Sequence, residues 1–424
     1  MSPTLRKESA MRLRRTVAAL AAVALALPLA ACGGTPGSGG KSDGKLTFFS
    51  WDGQDTMKPV IDKFQQENPG IKIEFSNAPP VAEYISTLQS RILSGTAADV
   101  FAIAAENKTN LINGKHVVDL KDKPFLKNVP KFNQTTYGGP DGAVYGLSVA
   151  SWGAGVLYNK DLLAKVGATG IPKTWDEFLA LCHKLKDAGV TPYLESVQGM
   201  STPLAAFLGA QSAADGDAMD TKIFDGSAKF KDYWVEPLKQ WSRLWTEGLV
   251  TPAVVGLTGD QVRTEFAKGK VAMMIAGPWD IPGVRKAAPK LQLEMAPIPG
   301  IEGRPAYLAG AASPGYAINA KAKNPEAAEK FLAFLDTPEA MALYQKATGA
   351  ITVTTDFEPT LDPALQPIVK DVRAGNIYLP QIAWKRAEDI LNVEATAQLQ
   401  LLVQGKATPE QVANALDTKL ASTS

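Results

Sequence analysis

Three dipeptides sit where a predicted strand ends: Trp51-Asp52, Glu106-Asn107 and Trp279-Asp280. Three single aromatics hold comparable junctions: Tyr84 at the start of the second helix, Trp152 at a crossover, and Trp384 where a late helix begins. Indole and phenol rings offer apolar faces for stacking, and carboxylates and amides satisfy a rim of hydroxyls. That is binding chemistry. No nucleophile motif in a catalytic context accompanies it: H-E-x-x-H and the P-loop are missing from the chain, and its G-x-S-x-G match, residues 40–44, lies in the Gly-rich stretch before the first predicted strand rather than between a strand and a helix. Two His and two Cys in 424 residues exclude a zinc ribbon, a His-rich metal site and a disulfide scaffold. Neither a metal nor a cofactor is called for. A formal charge of +1 argues against a nucleic-acid surface. Plainer readings stand beside these. A Trp after a strand can cover a core, and Asp52, Glu106 and Asn107 can be helix N-caps or first-turn residues.

Other conspicuous residues read as structural. Trp234, Leu238, Trp241 and Trp245 are spaced four, three and four, which puts them on one helical face and in a core. Trp175 lies in a helix-capping segment. Cys182 and His183 are neighbours on a helix, where side chains at i and i+1 diverge, so they form no dyad.

The elements that must position these residues alternate. Lys45–Ser50 reads as a strand, and Val60, Ile61 and Phe64 share a helical face that stops at Asn68-Pro69-Gly70. The run 71–75 alternates apolar and charged residues. Tyr84, Ile85, Leu88 and Ile92 share the next helical face, and 99–104 is a short buried strand. This βαβαβ order predicts a mostly parallel sheet with helices on both faces and a ligand crevice off the C-terminal strand ends. Farther on, 144–149, 153–158, 271–275, 294–298 and 316–319 read as strands. Thr174 and Glu177 make a capping box for a helix, and helical segments at 362–374, 382–403 and 409–420 close the chain.

The N-terminus carries Arg6, Lys7, Arg12, Arg14 and Arg15 against one acid, Glu8, followed by a 15-residue apolar run to Ala31. That run is too short to span a bilayer and suits a signal peptide; Met11 would also serve as initiator, and the export route is open. It ends Leu29-Ala30-Ala31-Cys32, which resembles the bacterial lipobox, where the Cys is alkylated with diacylglycerol and becomes the mature N-terminus. Cleavage there takes the net charge from +1 to −3. Residues 33–45 hold six glycines in 13 positions, a flexible tether spanning ~20 Å. The chain is expected to touch the membrane through this anchor alone, on the outer face of the cytoplasmic membrane.

Five blocks occur in a familiar order: FFSWDGQDTMKPVIDKFQQENPGIKIEF (48–75), YISTLQSRILSGTAADVF (84–101), the stretch 146–189 with YNKDLL and KTWDE, FAKGKVAMMIAGPWD (266–280), and 316–351. Together they resemble the substrate-binding proteins of carbohydrate ABC importers, the maltose-binding-protein-like class. The resemblance implies an α/β, two-lobed periplasmic-binding-protein fold, with a mostly parallel sheet in each lobe and a hinged cleft. It divides the chain into a signal peptide (1–31), the lipidated Cys and tether (32–44), lobe 1 (45–150 plus 311–353) and lobe 2 (151–310 plus 354–424). It implies a mono- or oligosaccharide ligand, permease subunits with a separate ATPase, a monomeric receptor and no catalysis. Its ligand loops coincide with Trp51, Asp52, Tyr84, Glu106, Asn107, Trp152, Trp279, Asp280 and Trp384. Trp279 and Trp384 match its stacking aromatics best, and the aromatic count suggests two or three sugar rings. Trp152 replaces a carboxylate of the maltose-binding pattern, which points away from maltodextrin. A non-sugar solute on the same fold, a glycan-active secreted enzyme with paired carboxylates and an adhesive lipoprotein are the alternatives.

Overall fold

The computed structural model describes residues 44–139 and 142–423. The signal peptide and Cys32 therefore lie outside the described residues. The first strand, β1 (Lys45–Ser50), buries Leu46, Phe48 and Phe49. It pairs in parallel with β2 (Lys72–Asn77) and with β3 (Val100–Ile103). Helix α1 (Gln54–Glu67) turns Met57, Val60, Ile61 and Phe64 onto the sheet. It stops where the Asn68 amide donates back to the Phe64 carbonyl, ahead of Pro69. Helix α2 (Val81–Leu93) buries Tyr84 and Leu88 and ends at Gly95, whose φ of 71° suits a residue with no Cβ. A strand from much later in the chain, Gly315–Ile318, completes this sheet antiparallel to β3. Phe48, Phe64, Phe331 and Tyr316 meet edge to face in the core beneath it. Each such pair adds ~1 kcal/mol beyond its buried area.

The second sheet is built on β4 (Ala150–Asn159). It contains β5 (Thr191–Leu194), β6 (Val271–Ala276), β7 (Leu293–Ala296), β8 (Leu308–Ala312), β10 (Ile351–Thr352) and β11 (Ile377–Tyr378), while β9 is the Gly315–Ile318 strand of the first sheet. The two-lobed α/β fold is as expected, but a mostly parallel sheet is found only in the first lobe. In the second, β4 runs antiparallel to β6, β7, β8 and β10, and only β5–β6 and β8–β11 are parallel. The reason is the long, two-part β4: its first half pairs with β8 and β10 as they approach the crossover, and its second half with β6 and β7. Close packing is built in here, since a Cβ on Gly155 would lie 2.2 Å from the Ala296 carbonyl oxygen.

Helix packing around this sheet follows the sequence periodicity. Thr174 caps the helix Trp175–Asp187, its Oγ1 accepting from the Glu177 N–H. Trp234, Leu238 and Trp241 are buried on the helix Phe230–Thr246, with Trp245 at its edge. Cys182 is core, and His183 bonds Glu247 at 2.9 Å. Two further expectations are corrected. The run 144–149 makes only isolated bridges, from Val144 to Gly138 and from Leu147 to Tyr316. The helix expected over 382–403 is two helices, Pro380–Ala383 and Glu388–Val403. The break comes from an extended Trp384 (ψ 146°) and a left-handed Ala387 (φ 55°).

Apolar contacts sort into separate cores. One draws on 46–149 and 312–344, and the others on 156–308 and 351–420. The chain passes between them near residues 150, 313 and 350, and these crossings are bonded to one another. Leu147 and Tyr316 exchange backbone bonds at 2.9 and 2.8 Å, Ser313 N–H donates to Ala150, and Val353 N–H donates to Val149. Asn133 Nδ2 adds bonds to the Ser148 and Ala150 carbonyls. Among the described residues these three bonded crossings connect the sheets covalently, the layout of a hinge.

Candidate functional site

An open cavity of about 410 Å³ lies at the C-terminal ends of β1 and β3, against the hinge. Its walls include Trp51, Asp52 and Glu106 from the first lobe, Trp152 from β4, and Trp279 from the second lobe. The β1 strand delivers Trp51 and Asp52 because its parallel pairing with β2 ends at Ser50–Asn77. The turn after β6 delivers Trp279. Trp152 and Trp279 meet edge to face, with centroids 5.2 Å apart at 75°. Trp51 stands against the Tyr84 ring at 5.2 Å and 83°. Trp279 is 51% exposed, unusually bare for an indole. Three Trp rings from both lobes and the hinge thus face one space.

The polar side of the cavity is acidic. Asp52 accepts from the Ser50 and Tyr344 hydroxyls, both at 3.4 Å, and its own N–H donates to Ser50 Oγ at 3.1 Å. Burial pushes its carboxyl above the usual range, opposed by the Tyr344, Ser50 and Tyr316 hydroxyls. Burial likewise raises Glu106, opposed by its own backbone N–H. No other side chain among the described residues bonds Glu106. Desolvated acceptors of this kind are available to hydroxyl donors from a ligand.

Four expected site residues are placed elsewhere. Tyr84 is wholly buried: it stacks on Phe49 and donates its hydroxyl to the Ala102 carbonyl, so it supports the floor beneath Trp51. Asp280 braces the Trp279 turn, accepting from Gly277 N–H at 3.0 Å and pairing with Arg263 at 3.2 Å. Trp384 is 1% exposed, stacked on Trp234 and edge-on to Phe230 in the second core. The extended break at Trp384 turns its ring inward, whereas Trp279 begins a helix at the surface. Asn107 is 1% exposed, and neither of its amide atoms has a partner.

Asn107 belongs to a seam where the lobes touch beside the cavity. Lys108 Nζ, at the start of helix α3 (Lys108–Asn113), donates to the Ile382 carbonyl at 3.0 Å. Thr109 Oγ1 donates to Glu388, the first residue of the helix Glu388–Val403. Burial pulls the Lys108 ammonium down to about 8, opposed by Glu388. Gln381 Oε1 and Trp384 Nε1, in and beside the Pro380–Ala383 turn, are also buried without partners.

Sequence reasoning missed Tyr344 and Thr348, which line the cavity from the helix Pro338–Thr348. Their i,i+4 spacing just before Gly349 was the available signal. It also missed the Ser313-Pro314 hinge segment and the apolar pair Leu379 and Ile382. A second cavity, about 480 Å³, opens on the first lobe around Thr47, Arg91, Asp99 and His116. Asp99 has a structural task there, since Thr47, Lys323 and Asn324 all donate to it and outweigh the cost of its burial. Among the described residues no acid–His–Cys cluster could hold a metal, and no helix is long and apolar enough to cross a membrane.

The family model for bacterial extracellular solute-binding proteins matches residues 50–342. A solved family 1 extracellular solute-binding protein from Bifidobacterium longum subsp. infantis superposes with a TM-score of 0.77 at 30% identity. That match covers 91% of this chain and 100% of the other. A multiple sugar-binding protein of Streptococcus mutans is 25% identical over 356 residues, 81% of this chain and 83% of the relative. A maltooligosaccharide ABC transporter solute-binding lipoprotein of Streptococcus pneumoniae is 25% identical over 407 residues, covering 89% and 91%.

Proposed function

The chain belongs to the family of bacterial extracellular solute-binding proteins, and from that premise we propose that it is the sugar receptor of an ABC importer. It captures a mono- or oligosaccharide in the interlobe cleft and hands it to membrane permease subunits driven by a separate ATPase. The observation that carries this reading is the trio Trp51, Trp152 and Trp279 facing one cavity with Asp52 and Glu106. A pyranose has a weakly apolar C–H face and a rim of hydroxyls, and this wall offers stacking surface and acceptors for both. Because the rings come from both lobes and the hinge, a bound sugar touches both sides and favours closure. The sugar relatives in Streptococcus support the same class.

The receptor works as a monomer, with lobe 1 at 45–150 plus 311–353 and lobe 2 at 151–310 plus 354–424. Cys32 carries the lipid anchor and residues 33–44 tether the body to the membrane. A disaccharide of ~23 heavy atoms at about −0.3 kcal/mol each gives ~−7 kcal/mol, a Kd of micromolar order that permits both capture and release. The receptor has no turnover. Thermal shifts against mono- to tetrasaccharides test the proposal. A ligand at 100 times its Kd adds ~2.7 kcal/mol and raises the melting point. A panel with no shift, or a sugar recovered in pieces, contradicts it. Loss of membrane attachment in Cys32→Ser tests the anchor.

A further inference from the structure

The cavity carries two carboxylates, Asp52 and Glu106, and no Lys, Arg or His among its described lining residues. Two cations that bond beside the wall are engaged elsewhere. Arg263, behind the Trp279 turn, is held by Asp260 and Asp280. Lys108 donates to the Ile382 carbonyl at the seam. Recognition of a carboxylate or phosphate is strongest where a guanidinium or an ammonium is aimed at it. The helix starts on this wall, at Val81 and after Trp279, each carry a first-turn acid instead, Glu83 and Asp280. The apolar rings lower the local dielectric, which strengthens repulsion between like charges.

Building on the sugar-receptor reading, we infer that this cleft selects its glycan by charge: it accepts neutral oligosaccharides and excludes uronic-acid and phosphorylated ones. Asp52 and Glu106 then have two effects. They accept hydrogen bonds from hydroxyls, and they repel an anion placed on the same rings. Asp52 accepts long bonds, 3.4 Å each, from Ser50 and Tyr344, and swinging away from an anionic ligand would give up both.

Calorimetric titrations on the full-length protein test this with maltotriose, cellotriose, xylotriose, raffinose and triacetylchitotriose. Each is measured beside a counterpart bearing one uronic carboxylate and beside the methyl ester of that counterpart. The expected result is that at least one neutral sugar binds at least 100-fold tighter than its uronate, and that the ester recovers most of the loss. In Asp52→Asn/Glu106→Gln the gap between neutral and uronate forms should fall below tenfold. The ester arm needs no variant, so it decides the matter even if that protein does not fold. A uronate that binds as well as its neutral partner, or an ester as weak as the acid, overturns the charge rule and leaves the sugar-receptor reading standing. A panel in which no member of any charge binds overturns the sugar-receptor reading and the charge rule with it.

Discussion

Two tryptophans that look alike in the sequence separate sharply in the structure. Trp279 is 51% exposed at the cavity mouth, whereas Trp384 is 1% exposed against Trp234 and Phe230. Removing the Trp279 ring leaves no core void. Trp279→Ala should therefore cost sugar affinity about tenfold or more, with the melting point of the free protein moving by roughly a degree. Trp384→Ala empties a packed site and should cost about 3–5 kcal/mol of stability, with sugar affinity retained in the molecules that stay folded. Titration and denaturant unfolding of the two variants check the pair. If Trp384→Ala lost binding without losing stability, its placement in the core would be wrong. Nothing local in the sequence separates these residues, since each follows a Pro-containing turn. The difference lies in the backbone: Trp279 has helical angles (ψ −20°), and Trp384 is extended. Tyr344 escaped notice for a related reason, because a Tyr inside an amphipathic helix reads as core until its hydroxyl is seen on Asp52.

The elements themselves were readable where the signal is local. The run Lys45–Ser50 read as β1 and the alternation at 71–75 as β2, the Asn-Pro-Gly stop ended α1, and Thr174 capped its helix. What could not be read was pairing. Whether β4 lies parallel or antiparallel to its neighbours depends on strands that arrive more than 100 residues later. The interlobe seam is equally non-local, joining Lys108 and Thr109 to Ile382 and Glu388 across more than 270 residues. It makes a prediction of its own. Lys108→Met removes a charged donor from the part-buried Ile382 carbonyl, an interaction worth about 1.5–3 kcal/mol. If the seam helps hold the lobes together on sugar, Lys108→Met should release sugar roughly tenfold faster with little change in association rate. Stopped-flow Trp fluorescence measures both rates; an unchanged dissociation rate would remove the seam from the closure step.

At the scale of the molecule, one buried acid shapes stability against pH. Glu195 is 2% exposed, bonded by Trp241 Nε1 at 2.8 Å, and burial pushes its carboxyl up to about 8. The folded state thus holds a proton that the unfolded chain releases near pH 4.5. Glu195 therefore contributes stability at low pH, and that contribution is lost as pH rises from about 4.5 to 8, at up to ~1.4 kcal/mol per unit. Glu195→Gln keeps the shape without the proton. Its stability relative to the parent should climb across that window; parallel denaturation curves at pH 5 and 8 would contradict the assignment. The central claim concerns binding, and calorimetric titration of the purified protein with neutral di- and trisaccharides reaches it most directly. The account predicts saturable binding of at least one sugar with a Kd of micromolar order, a negative heat-capacity change, and the sugar recovered intact. Heat of dilution alone across the whole panel, or hydrolysis products in the cell, would contradict it.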